Sequence, residues 1–510
     1  MCGCGKAAPR ADLVFINGVE PESLDPAIIT GQAEGRLATA LFEGLMRYNA
    51  AGEAEPGVAS IYTLSEDGLT YTFTIRENAR WSNGDPVTAH DFVASWERTL
   101  SPKTASSYAY MLYAIRGAEA FNNAESSDFS TVGVRTTDDR TLVVELTSPT
   151  SFFRSICAFV TLLPVHQPTV EKFGDDWIKP GNIVGNGPFV LESWRLNDHI
   201  RLRRNPMYWD YENVKLETIE VLPITNANVA FNMFLSGRAD LIMDKSLVPV
   251  SLVQELRKRP DFHSAPFLGN YFLRFNVTRP PFNDERVRRA LALVVDKSLL
   301  TERVTGLGEI PAYSLVPPGT AGYQPPPGLE RNLDEARRLL AEAGFPGGEG
   351  FPVVSYLFPE VAINENIAIE LQQMWKQELG IDITLRKQEW KVYLNSLSQL
   401  DYDIGRSSWV GDYNDPNTFL DMFVTDGGNN RTGWSDPEYD AWISEAARTL
   451  NPTERFALFE KAERRLISEA LPIVPLYYYV GVQIYDSEKI GGIQPNVLDE
   501  HPLRAVYRKD

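Results

Sequence analysis

Cysteine is nearly absent from this chain: there are three in 510 residues, Cys2 and Cys4 at the extreme N-terminus and Cys157 alone inside the apolar stretch from Phe152 to Val165. That distribution excludes a disulfide framework across the body. Cys157 is expected to be a small buried hydrophobe. Histidine is almost as scarce, and the five residues (His90, His166, His199, His263, His501) are dispersed, with no His-x-x-x-His pair. A nucleophile elbow and a phosphate loop are also missing, so the parts of the common hydrolases and nucleotide enzymes are not there. Carboxylate pairs such as Asp401 and Asp403 are too common to argue for a glycoside hydrolase. No apolar run approaches the roughly 20 residues of a spanning helix; the best, Phe159 to Val165, is far shorter. Basic runs are lacking too, and 49 Lys and Arg against 68 Asp and Glu leave a net charge of −19 that repels nucleic acid and anionic lipid. No enzyme, metal or cofactor is expected.

What is present is enough apolar material, 43% of the residues, for more than one core, since single cores stop growing at roughly 250 to 300 residues. Short strands and helices interleave in an α/β pattern. Leu13 to Asn17, Tyr71 to Ile75 and Ile381 to Arg386 read as strands, and Ile473 to Val482 as a strand carrying three consecutive tyrosines. The period-2 rule puts at least one of Tyr477, Tyr478 and Tyr479 on the opposite face from the others. Helices are predicted over Glu34 to Leu45, Thr88 to Leu100, Phe282 to Thr301, Asn332 to Ala343, Ala362 to Leu379 and Pro452 to Glu469. Thr88 with Asp91 three residues on is a capping-box signature, and Gly380 ends the helix before it. The Pro-rich piece Pro317 to Pro327 reads as an irregular surface loop.

The densest chemistry lies in Arg406-Ser-Ser-Trp-Val-Gly-Asp412-Tyr-Asn-Asp-Pro-Asn-Thr-Phe419, a cation and an anion six residues apart around an aromatic-glycine core. An Asp beside Trp409 and Gly411 can meet an ammonium group in a sheltered place, which points to a ligand with a free amine. The competing reading is a turn or helix-cap Asp before Tyr-Asn-Asp-Pro. For Arg406 it is a structural pairing with Asp401 or Asp403.

The run Leu69-Thr-Tyr-Thr-Phe-Thr-Ile-Arg-Glu-Asn-Ala-Arg-Trp81-Ser-Asn-Gly-Asp-Pro86-Val-Thr-Ala-His-Asp91-Phe92 resembles the signature of bacterial extracellular solute-binding proteins, family 5. Glu20-Pro-Glu-Ser-Leu-Asp25-Pro, Leu41-Phe-Glu-Gly44, Pro180-Gly-Asn-Ile-Val-Gly-Asn-Gly187, Pro281-Phe-Asn-Asp284-Glu-Arg-Val-Arg288 and Gln388-Glu-Trp390-Lys fit as well, so the resemblance covers nearly the whole chain. Within the family the oligopeptide-binding members of ABC importers are most similar. The resemblance implies an α/β clam shell of the type II periplasmic-binding-protein kind with an extra third lobe (cluster C), closing over its ligand by hinge motion. The implied boundaries are a tether over 1–12, lobe I from 13–42, 167–268 and 480–510, lobe II over 43–166, and lobe III over 269–479.

Carried over residue by residue, the resemblance gives Asp412 to the peptide α-ammonium and Arg406 to the carboxylate end of short peptides, a role suited to a guanidinium's paired donors. Trp390, Trp409, Tyr108 and Tyr479 fall where the family lines its cleft and pockets. Sequence-tolerant capture needs main-chain hydrogen bonds to an extended ligand, and the expected edges are Gly31 with Gln32 and Trp409, Val410 and Gly411. Departures bear on specificity. Asn364 and Thr305 stand where well-known members carry His and Lys, Arg303 lies two residues before Thr305, and Arg274 stands where an acidic residue is expected. Gly269 and Val410 replace a cysteine pair found in some members. These changes imply short peptides, even tripeptides, with tolerance for acidic side chains. Rival ligands handled by relatives are cell-wall (murein) peptide, glutathione and a nickel chelate; keeping both Asp412 and Arg406 favours a zwitterionic peptide. An adhesin lipoprotein that only retains the fold is a further alternative. The implied partners are a membrane permease and its ATPase subunits, with the binding protein itself a monomer. Met-Cys-Gly-Cys-Gly, running into Lys6 to Asp12, resembles the start of a mature bacterial lipoprotein whose signal peptide was replaced by an initiator Met. Lipid on Cys2 or Cys4 would tether the protein in the periplasm or at the cell surface, the only membrane contact expected. A zinc site there would lack ligands.

Overall fold

The computed structural model describes residues 9–509. Cys2 and Cys4, and with them the expected lipid attachment, lie outside the described residues. Two compact units divide the chain: one runs up to His263 and takes back Val482 onwards, and the other is Ser264–Gly481.

In the first unit Leu13–Ile16, buried at all four positions, pairs in parallel with Thr218–Leu222 and with Leu241–Ile242. Antiparallel His199–Arg204 and Phe189–Arg195 extend this sheet on one side, and Ile484 and Tyr485 pair with its other side. A second, four-stranded antiparallel sheet is built from Ala59–Leu64, Thr70–Ile75, Thr141–Glu145 and Val134–Asp138. Tyr71, Phe73 and Ile75 alternate inward on it, as a half-buried strand requires. The signature continues into the helix Ala89–Leu100, whose start is tied by the Thr88 N–H donating to Asp91 Oδ2 at 2.7 Å. Cys157 is buried and unbonded to sulfur, and burial pushes its thiol up from the usual range.

The helix expected over Glu34 to Leu45 instead spans Gln32–Leu41. It stops early because Phe42 is extended and Gly44 is pressed so close to the Cys157 carbonyl that a Cβ there would sit 2.8 Å from its oxygen.

The second unit carries the sheet on which the candidate site stands. Its strands run in the order Ile383–Gln388, Val354–Pro359, Ile404–Val410, Phe262–Phe275, Ile473–Tyr485. The first three are parallel and Phe262–Phe275 is antiparallel to Ile404–Val410. Helices Glu285–Val294 and Ala362–Leu379 cover one face, burying Leu291, Ile367, Leu371 and Trp375 against Tyr271, Leu273 and Tyr356. Each of the fully buried aliphatic side chains contributes about 1.5–3 kcal/mol. The Trp375 indole N–H is satisfied at 3.0 Å by the Leu291 carbonyl. Ala362–Leu379 ends as expected at Gly380, whose φ of 74° gives the left-handed cap.

The single helix expected over Phe282 to Thr301 is broken at Val295, which is extended. Asp296 restarts the chain by accepting from the Leu299 N–H at 2.9 Å, a side-chain bond that competes with the continuing helix.

Candidate functional site

Ile404–Val410 is flanked unequally. Phe262–Phe275 pairs with it along its whole length, from Phe275 opposite Ile404 to Gly269 opposite Val410. On the other side Val354–Pro359 reaches only Ile404 and Gly405. Among the described residues no strand pairs with 406–410 on that side. Such an open edge is the requirement for binding an extended chain by its backbone. The helix Trp390–Ser398 borders the start of this edge: the Tyr393 hydroxyl donates to the Arg406 carbonyl, and the half-exposed Trp390 stacks on Tyr393 with ring centroids 5.5 Å apart.

Cross-strand partners share a face, so the register sorts the expected residues. Arg406 lies opposite Leu273 and Val410 opposite Gly269, on the face of Tyr271. The Arg406 guanidinium sits 4.7 Å above the Tyr271 ring and its Nη2 donates to the Tyr479 hydroxyl at 3.2 Å. It does not pair with Asp401 or Asp403, which hold Arg386 at 2.7 Å and Ser355 at 2.9 Å respectively. No carboxylate of the described residues comes within ion-pair distance of Arg406, and its Nε is buried without a hydrogen-bond partner. A buried donor left unmatched costs about 1–3 kcal/mol. Burial disfavours its charge, while the hydroxyls of Tyr479, Tyr271, Tyr393 and Tyr477 favour it, and the net shift is upward.

Tyr477 and Tyr479 share the Arg406 face, 5.7 Å apart edge to face. Tyr478 points the other way, within hydrogen-bond distance of Ser314 at 2.5 Å, as the period-2 rule demands. Gly269 leaves room for Tyr479, because a Cβ there would lie 2.7 Å from its ring. Asn364 and Thr305 are both engaged: Asn364 accepts from the Tyr271 hydroxyl at 3.2 Å, and Thr305 donates to Glu309 at 2.8 Å.

Trp409 and Arg274 belong to the opposite face. Arg274 is buried and donates to Ser407 Oγ at 2.8 Å and to the carbonyls of Asn429 and Asn430. Burial lowers its pKa to about 10. Its donors splint the 429–430 turn, so Arg274, expected among the peptide-site residues, stands on the face opposite Arg406 with its donors committed to the protein.

Beyond the strand, Gly411 donates to the Leu268 carbonyl at 2.7 Å, and the Asp412 N–H donates to Thr418 Oγ1 at 3.2 Å. A Cβ on Gly411 would meet the Leu268 side chain at 2.5 Å, so a larger residue before Asp412 would force that side chain to shift. Two further carboxylates, Asp415 and Asp421, act electrostatically together with Asp412. Asp415 is neutralised by Arg455 through two bonds of 2.7 and 2.8 Å, but Asp421, bonded to Asn417 at 3.0 Å, has no basic partner among the described residues. Although part of its surface is open, Asp421 lies deep among protein atoms, and burial followed by the charges of Asp412 and Asp415 pushes its carboxyl up to about 7. Sequence reasoning missed Asp421; its only signal was the spacing from Asn417 by one helical turn.

Of the residues expected in the first unit, Tyr108 is partly exposed and packs on Tyr110 and Phe159 at 5.6 and 5.3 Å. Gly31 and Gln32 are exposed, but they form no strand edge: Gln32 begins a helix, and the Gly31 N–H is already donated to Glu34 Oε2 at 3.1 Å. Among the described residues no group of His, Cys, Asp and Glu is arranged to hold a metal ion, and no helix is long and apolar enough to cross a membrane.

The mixed sheets with covering helices define the class: an α/β protein with the type II periplasmic-binding-protein clam-shell fold. The chain belongs to the bacterial extracellular solute-binding proteins, family 5, whose middle-region family model matches residues 53–431. The oligopeptide-binding protein OppA of Bacillus subtilis (strain 168) is 37% identical over 505 residues, covering 96% of this chain and 91% of the relative. Among solved structures, the unliganded open form of the periplasmic murein tripeptide-binding protein MppA aligns with a TM-score of 0.88 at 35% identity, covering 98% of each chain. Haemophilus influenzae OppA in complex with RPPGFSPFR aligns at 0.75 with 32% identity, covering 97% of this chain and 98% of that one.

Proposed function

We propose that this chain is the extracytoplasmic substrate-binding subunit of an ABC importer and captures short peptides. The observation that carries the reading is the open side of Ile404–Val410, with Arg406, whose Nε has no hydrogen-bond partner, at one end and Asp412 beyond the other. Asp412 takes the α-ammonium, Arg406 the α-carboxylate, and residues 409–411 the ligand backbone, with Trp390, Val410 and Tyr479 beside it. In the first unit Tyr108, Gly31 and Gln32 are the proposed contacts, and 43–166, with its own sheet, is proposed as the third lobe. The relatives named oligopeptide-binding support this reading. Length follows from span: six residues of extended chain cover roughly 20 Å and a tripeptide about 10 Å, leaving the remainder to the two charged side chains. A cell-wall tripeptide is the second reading, favoured by that span and by the likeness to the murein tripeptide-binding protein. The protein is proposed to act as a monomer in the periplasm or at the cell surface, lipid-anchored through Cys2 or Cys4, delivering ligand to a permease with its ATPase subunits.

Mass spectrometry of small molecules retained by the purified protein tests this. A ladder of mixed short peptides is expected, and a single cell-wall peptide would select the second reading. A non-peptide ligand would sink both.

Binding is also expected to release protons near neutrality. A cation at Asp412 favours the ionised form of Asp421 and lowers its raised pKa of about 7. Protons therefore leave at pH near 7. Little is released well below it, where Asp421 stays protonated, or well above it, where Asp421 is ionised already. Calorimetry in two buffers of different ionisation enthalpy reads this. The release should vanish in Asp421→Asn, and persistence there would show that Asp421 is not its source.

A further inference from the structure

Glu309 lies on a short turn before the strand Ile310–Pro311. One carboxylate oxygen, Oε2, accepts from both Thr305 Oγ1 at 2.8 Å and the Leu307 N–H at 2.9 Å. Those two bonds hold the loop, and a glutamine carbonyl would accept them equally well. The charge and the second oxygen are left over: no hydrogen bond to Oε1 and no Lys, Arg or His within ion-pair distance is found among the described residues. The exposed Arg303, six residues earlier, makes no ion pair with it.

Register places this spare charge. Ile310 lies opposite Tyr478 and Pro311 opposite Tyr477 in an antiparallel pair, so the next position back, Glu309, falls opposite Tyr479 just beyond the ladder. Opposed residues share a face, and this is the face on which the Tyr479 hydroxyl receives Arg406. Tyr477 feels both charges: burial raises its hydroxyl, Tyr479, Tyr271 and Glu309 add to the rise, and Arg406 opposes it. Glu309 and Arg406 thus present opposite charges to one wall of tyrosines, and both keep part of their surface open to solvent.

We infer that Glu309 is a specificity-determining residue of the peptide site, receiving the basic side chain of a ligand's C-terminal residue whose carboxylate faces Arg406. This rests on the reading of the site as a peptide site. The ligand class is a short peptide ending in a residue with a side-chain ammonium or guanidinium.

The test is calorimetry of the full chain with Ala-Ala-Lys, Ala-Ala-norleucine and Ala-Ala-(Nε-acetyl-lysine). The wild type is expected to prefer the lysine peptide over both uncharged ones by tenfold or more. In Glu309→Gln, which keeps both loop bonds, the ratio should fall below twofold. The acetylated ligand asks the same question without a mutation, so a poorly folding variant does not remove the test. Equal binding of all three by wild type, or an undiminished lysine preference in Glu309→Gln, would overturn the assignment of Glu309 while leaving the peptide reading intact. Failure of wild type to bind any of them, or any member of a mixed tripeptide pool, would overturn both.

Discussion

Asp412→Ala should weaken a free-amine tripeptide by between about 30-fold and a few thousand-fold, because removing one partner of a desolvated charge pair costs about 2–5 kcal/mol and each 1.4 kcal/mol is tenfold. The backbone there is held by the Gly411 bond to Leu268 and the Asp412 N–H bond to Thr418, neither of which involves the carboxylate. The substitution therefore removes the charge and leaves these two backbone bonds in place. N-acetylating the peptide should cost the wild type a comparable factor, and the acetylated peptide should lose little more on Asp412→Ala. Calorimetry over this four-way cycle isolates the pair. If Asp412→Ala weakened the acetylated peptide as much as the free one, the ammonium assignment would fail and the turn reading of Asp412 would stand.

The second large effect is on stability. Arg455 and Asp415 form a two-pronged ion pair with side chains only 4% and 6% exposed. Arg455→Met would leave a buried carboxylate opposite a thioether, and breaking such a pair from one side costs about 3–5 kcal/mol. For a unit of this size that lowers the melting temperature by on the order of 10 °C. Adding Asp415→Leu should recover much of the loss, since an apolar pair of similar volume is often no worse than the ions. Asp415 lies three residues after Asp412, so the single variant should also bind peptide less tightly. An unchanged thermal melt for Arg455→Met would show that the pair contributes nothing net.

The two effects differ in how far the sequence announced them. Asp412 and Arg406 were singled out in the sequence because spacing, residue type and family resemblance pointed to the same segment. The Tyr477 to Tyr479 run was legible from period alone, and Ala362–Leu379 from its apolar stripe and terminal glycine. The helix through Val295 was misread because its apolar pattern continues past the break, and only the Asp296 side chain interrupts it. The face on which Arg274 stands was not legible for a different reason. Whether it shares a face with Arg406 depends on which residues of two distant strands stand opposite each other, and hydrophobic pattern does not supply that register. The same holds for Glu309, whose place follows from a two-residue strand too short to leave any periodic signal. Gly31 was expected as an edge because sequence-tolerant capture needs main-chain hydrogen bonds, yet Glu34 three residues on already claims its N–H.

On the proposed reading, the unpaired side of Ile404–Val410 also gives the ligand a direction. A strand edge by itself accepts a partner running either way. With an anion beyond its C-terminal end and a cation near its start, only a ligand lying antiparallel to it can satisfy backbone and both termini together. A peptide and its reversed sequence are therefore distinct ligands here, equal in composition but presenting their side chains to neighbours in opposite order. Head-to-tail cyclic peptides, which have no ends, should pass unread.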